Sequence, residues 1–216
     1  LPARIHLFKM ALGRGDDQAM RDAQNEILEL VGDKKDTNWA YTEAARLFSL
    51  YARGEGDEST LQQVGRLLTT LMNQRPDWHE PYFLRAKLRL SQNDAIGASQ
   101  DYVRGFSLGR GTLIDLKAHL QLLVMQQRWL DAIEALDSYN EDTRLAILGE
   151  SYPVVLLQAR RYSDAAEAAD RVMALSEPSV QLQLWYSQVM AQLAAVPANS
   201  TGEDQQKQIE TLKEES

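Results

Sequence analysis

A register that returns every 34 residues constrains this chain more than any other feature. Leu61, Ala95, Trp129 and Tyr162 follow one another at separations of 34, 34 and 33 residues. Three positions after them stand Val64, Ala98, Ala132 and Ala165, and seven positions after them Leu68, Tyr102, Leu136 and Ala169. A small residue at the first of these positions lets two helices approach closely, and a larger one at the second fills the groove beside it. A simple bundle has no reason to keep such a register, whereas an array of repeated supersecondary units does.

The units read as helical. Leu113, Leu116, Leu120, Leu123 and Val124 form one apolar stripe at spacings of three and four, and Val64, Leu67, Leu68 and Leu71 form another. Alternating apolar and polar stretches are nearly absent. Short turns punctuate the pattern, among them Gly54-Glu55-Gly56-Asp57, Gln92-Asn93-Asp94 and Gly109-Arg110-Gly111. The spacing predicts helices near 3–12, 16–31, 38–53, 58–74, 79–91, 94–108, 112–126, 129–139, 143–159, 162–175 and 179–195. Pro153 falls inside the helix at 143–159 and is expected to kink or split it near Ser151. The helix at 179–195 has no second half and reads as a C-terminal cap.

Composition narrows the function classes. A length of 216 residues allows one or two domains with a sizeable core. The absence of cysteine removes disulfides, thiolate metal sites and a cysteine nucleophile. Lys and Arg total 23 against 31 Asp and Glu, a formal charge of −8, which argues against binding nucleic acid through a broad basic surface. Apolar runs such as Leu120–Met125 are far short of a bilayer span, so no membrane insertion is expected. No signal peptide is read at the start. Leu1-Pro2 in place of methionine reads as a processed or excised start, and the compartment stays open.

Candidate chemistry is sparse. His6, His79 and His119 lie far apart and in no HExxH pattern, and His119, in an apolar helix, reads as a packing residue. Neither a metal nor a cofactor is expected. Gly13-x-Gly15 and Gly109-x-Gly111 lack the third glycine and the preceding strand of a dinucleotide loop and read as turns. No phosphate loop and no nucleophile elbow is present. Asn140-Glu141-Asp142 reads as a turn and helix start, without the spacing of a calcium loop. Asp131 and Glu134, one turn apart, read as a solvated face. Catalysis by this chain is not expected.

A period of 34 made of two helices resembles the tetratricopeptide repeat (TPR) family. The unit from Pro76 to Gly109 carries the best match. Tyr82-Phe83-Leu84-Arg85-Ala86 resembles the aromatic-aromatic-x-Arg-small start of a common variant, and Ala98-Ser99-Gln100-Asp101-Tyr102-Val103-Arg104-Gly105 resembles its second-helix pattern. In that variant the arginine lies against the aspartate, so the resemblance implies a pair between Arg85 and Asp101. An arginine among apolar neighbours needs such a carboxylate once partly buried. The match is looser from about 112 to 142 and from 143 to 176. The implied fold is all-α: a right-handed superhelical array of antiparallel helix hairpins, an α-solenoid of about five pairs with a C-terminal capping helix.

In the TPR family the first helices line a concave face that holds a peptide or a helix of another protein. The corresponding residues here are Glu80, Phe83, Lys87 and Leu90, then Ile114, Lys117, Gln121 and Val124. Spacings of three, four and three put each set on one stripe. Phe83 and Leu90 are expected as exposed apolar anchors, with Lys87 and Lys117 offering charge to an acidic segment. Lys87 and Gln121 stand where the carboxylate clamp of chaperone-binding members has asparagine, so a chaperone-tail receptor is disfavoured. The expected function is a non-catalytic interaction scaffold. The alternatives are an oligomerisation or spacer module and a helical accessory domain of a larger enzyme. Residues 1–197 make the expected repeat domain. From Ala198 to Ser216 the chain turns acidic, with Ile209 and Leu212 as its only aliphatic residues after Ser200, and reads as a tail, a packing helix or a linker.

Overall fold

The structure, a computed structural model, describes residues 1–196; the acidic segment at 198–216 lies outside the described residues. Among the described residues the chain is all-α, with twelve helices and no strand. These are α1 Pro2–Arg14, α2 Asp17–Val31, α3 Thr37–Ala52, α4 Glu58–Gln74, α5 His79–Ser91, α6 Ala95–Leu108, α7 Leu113–Met125, α8 Trp129–Leu136, α9 Glu141–Leu148, α10 Ser151–Gln158, α11 Tyr162–Leu175 and α12 Val180–Ala194. Asp16, Asp57 and Asp94 cap α2, α4 and α6, each accepting from the amide three residues on.

The expected break near Ser151 is present as two helices. The chain leaves α9 through Gly149, at φ +53°, and α10 begins at Ser151. Pro153 is thus the third residue of α10, where an amide has no acceptor inside the helix, so the missing N–H costs little.

Five helix-to-helix turns share one geometry. Gly15, Gly54, Asn93, Gln127 and Arg160 all have left-handed backbone, with φ between +58° and +78°. In each turn the amide of that residue donates to the carbonyl three positions back, and the next amide to the carbonyl five positions back. The pairs are Gly15 with Leu12 and Asp16 with Ala11, Gly54 with Tyr51 and Glu55 with Leu50, and Asn93 with Leu90 and Asp94 with Arg89. Gln127 with Val124 and Arg128 with Leu123, then Arg160 with Leu157 and Arg161 with Leu156, complete the set, all at 2.8–3.1 Å. Bonds of this kind satisfy the last carbonyls of a helix and reverse the chain. They close α1–α2, α3–α4, α5–α6, α7–α8 and α10–α11. Asn93, Gln127 and Arg160 stand two positions before Ala95, Trp129 and Tyr162, so the backbone carries the same period as the sequence.

The chain divides into two compact units, with the break inside α7 after Leu116. In the first, α1 packs on α2, α3 on α4 and α5 on α6; α2 also meets α3, and α4 meets α5. First helices touch one another there, α1 with α3 and α3 with α5. Phe8, Met20, Ile27, Leu61, Leu68, Leu71, Leu84 and Leu88 lie in one continuous core. In the second unit α10 packs on α11, α11 on α12, and α10 on α12, with α10 also meeting α8 and α9. Its second helices are lined by alanine: Ala132 in α8 and Ala165, Ala168 and Ala169 in α11 are fully buried. The place of Trp129 and Tyr162 at the start of second helices predicts core positions, yet both are only half-buried.

Candidate functional site

The α5–α6 hairpin is held by one carboxylate and a group of rings. Arg85 donates to Asp101 through Nε at 2.8 Å and through Nη2 at 2.5 Å, the two-pronged contact that suits guanidinium and carboxylate. Asp101 is almost wholly buried, and Arg89 Nη1 adds a second cation at 3.2 Å while donating to the Gly97 carbonyl at 2.7 Å. The pair implied by the family resemblance is therefore in contact, and a second arginine shares its carboxylate.

Phe83 is not an exposed anchor: it is 5% exposed and belongs to this core. Its ring centre lies 4.9 Å from that of Phe106, 5.9 Å from His79 and 6.2 Å from Tyr102. The physical reason is the slot left by glycine. A Cβ on Gly105 would meet Phe83 Cε1 at 2.6 Å, and one on Gly111 would meet Phe83 Cζ at 3.0 Å. Gly109 leaves room for the His79 ring in the same way, at 2.6 Å to Nδ1. The Gly109-x-Gly111 pair thus spaces rings on α5 and α6.

Lys87 is likewise not free for a partner. Its Nζ lies 2.7 Å from Asp115 Oδ1, and Asp115 is 3% exposed at the start of α7. Asp115 also accepts from Thr112 Oγ1 at 2.7 Å and from the Thr112 amide at 3.0 Å, while its own amide donates back to Thr112 Oγ1 at 3.2 Å. This reciprocal cap fixes the first turn of α7. Burial by itself raises the carboxyl pKa of Asp115, but the Lys87 charge and these hydrogen bonds hold it below the usual value.

The first helices of the leading unit also meet at Glu80. Glu80 on α5 is half-buried, pairs with Lys9 of α1, and accepts from Trp78 Nε1 at 2.5 Å. The Trp78 ring centre is 5.0 Å from that of Tyr41 on α3. Burial, with the charges of Glu80 and then Asp115, pushes the Tyr41 phenol above its usual pKa. Lys9 of α1, Glu80 of α5, Trp78 at the cap of α5 and Tyr41 of α3 are therefore joined in one chain of contacts. Sequence reasoning reached only Glu80 of these. Lys9 gives no sequence signal toward a residue 71 positions away, whereas the Thr112-x-x-Asp115 cap was readable as a helix start.

The remaining residues expected on the binding stripe are distributed unevenly. Leu90 and Val124 are half-buried, whereas Ile114, Lys117 and Gln121 are exposed. The four aromatics of α3, Trp39, Tyr41, Phe48 and Tyr51, are all half-buried. His119 is 4% exposed, and its pKa is pushed down to about 4 by burial, then by the Arg128 charge, so it is neutral near pH 7. Among the described residues no group of three or more His, Asp or Glu side chains is arranged to hold a metal ion. No helix among them is long and apolar enough to cross a membrane. A scan against protein-family models matches none, and a search of curated proteins finds no match.

Proposed function

We propose that this chain is a right-handed superhelical array of TPR-like hairpins that works as a non-catalytic scaffold. It holds a peptide or helix of a partner protein on the face shared by its first helices. The observation that carries the reading is the turn repeated in five hairpins with one hydrogen-bond pattern, three of them at the sequence period. Contacts between first helices, α1 with α3, α3 with α5, and α10 with α12, are those that stacked hairpins make. The ligand surface in the leading unit is built from Lys9, Tyr41, Trp78 and Glu80. Lys9 is more exposed than Lys87, and its ammonium is engaged by Glu80 as that of Lys87 is by Asp115.

Site-specific photo-crosslinking tests this. A benzophenone side chain at Lys9 of α1 is expected to capture a defined protein from source-cell extract, and one at the exposed Gln63 of α4 is expected not to. Capture of the same proteins at both positions, or of nothing at Lys9, would overturn the assignment of the face.

A further inference from the structure

α12 turns toward solvent a stripe that is apolar, uncharged and complementary to itself. Leu182 and Val189 are buried, and Trp185, Tyr186, Met190 and Leu193 half-buried, on the side packed into the second unit. Tyr186 Oη donates there to Asp170 Oδ1 of α11 at 2.7 Å. On the opposite side stand Val180, 74% exposed, Leu184, 59% exposed, and the exposed Ala191 and Ala195. At about 100° of rotation per residue these four fall within an arc of about 60°. No charged residue occurs from Pro178 to Gly202, the longest such stretch in a chain of net charge −8.

The order of sizes along the stripe carries the argument. Two large residues precede two small ones, and the pairs Val180 with Ala195 and Leu184 with Ala191 are both centred between Ser187 and Gln188. A two-fold axis at that point lays the helix antiparallel on its copy and sets every large residue over a small one. We propose that this stripe of α12 is the docking face for α12 of a second copy of the chain. Leu184 of one copy covers Ala191 of the other, and Val180 covers Ala195. A two-fold contact must be self-complementary, and this size pattern meets that condition. Like charges elsewhere on an acidic chain oppose self-association, and this stripe has none. It is about 22 Å long and one helix wide, below the standard interface class, so the dimer is weak.

The 216-residue chain, which has no cysteine, allows a clean test. Leu184→Cys and Ala191→Cys variants, mixed and mildly oxidised, are expected to give a covalent dimer. Neither gives one alone, because identical positions lie about 10 Å apart along the axis of the pair. In sedimentation, Leu184→Ala and Ala191→Leu each weaken the dimer about tenfold or more, and the double swap regains most of the loss, with helicity by circular dichroism unchanged. A chain monomeric throughout, as when another segment or another protein covers the stripe, overturns the proposal. So do equal covalent dimers from the single variants, or a double swap whose losses add.

Discussion

The hairpins α5–α6 and α10–α11 share a turn and a register but fill the groove between their helices by different chemistry. Counting from the left-handed residues Asn93 and Arg160, Arg85 corresponds to Tyr152, Asp101 to Ala168, Tyr102 to Ala169 and Gly105 to Val172. The first hairpin uses a buried carboxylate under two guanidinium groups, with rings seated on glycines. The second uses a buried tyrosine and alanines that are fully buried. The turn and a small residue three positions into the second helix are common to both. The groove itself tolerates either solution, because an ion pair out of water gains little over apolar packing of similar volume.

The largest expected effect breaks the charged solution. Asp101→Ala leaves Arg85 and Arg89 without their shared carboxylate and is expected to cost about 3–4 kcal/mol in denaturant unfolding. Arg85→Ala/Asp101→Ala loses less than the sum of the single changes. Additive losses would mean that the contact contributes nothing to stability.

Acid separates the two units next. His119 lies in the second unit with its pKa depressed from 6.5 to about 4, so the unfolded chain binds more protons below pH 6.5. Its contribution is fully present above 6.5 and falls as the pH drops toward 4. The loss reaches on the order of 2 kcal/mol by pH 5. Asp115 in the first unit has a lowered pKa, so its contribution is lost only as the pH falls below the carboxylate range. Hydrogen exchange, corrected for intrinsic rates, is expected to rise first over 117–196, and His119→Gln to abolish the difference. Simultaneous loss over 1–116 would contradict this.

The smallest effect compares the turns. Gly15 and Gly54 close the first two hairpins, whereas Gln127 and Arg160 hold the same left-handed backbone with side chains. Gln127→Gly is expected to stabilise by about 0.5–1 kcal/mol by calorimetry, since the residue no longer crowds its own carbonyl. A loss would show that the side chain contributes more than the strain costs.

Much of the architecture was legible because it rests on local rules. Apolar spacing locates the helices, Pro153 marks the split of 143–159, and the register at Leu61, Ala95, Trp129 and Tyr162 marks the hairpins. The binding stripe was less legible. Phe83 and Lys87 lie at outward positions by helical spacing, yet one is drawn into the slot over Gly105 and the other is neutralised by Asp115. Spacing along a helix says which residues share a face; it does not say which neighbour reaches that face. Gly109 and Gly111 read in the sequence only as a turn; that they and Gly105 leave room for rings is seen only in the packing.

What the sequence alone determined is therefore the all-α character, the hairpin period and the positions of the breaks, all fixed by interactions among residues a few positions apart. Only the tertiary structure decided that Glu80 meets Lys9, that Lys87 meets Asp115 and that α12 leaves a neutral stripe open to solvent. Such contacts join residues far apart in the chain, and their partners are chosen by packing, which no local pattern encodes.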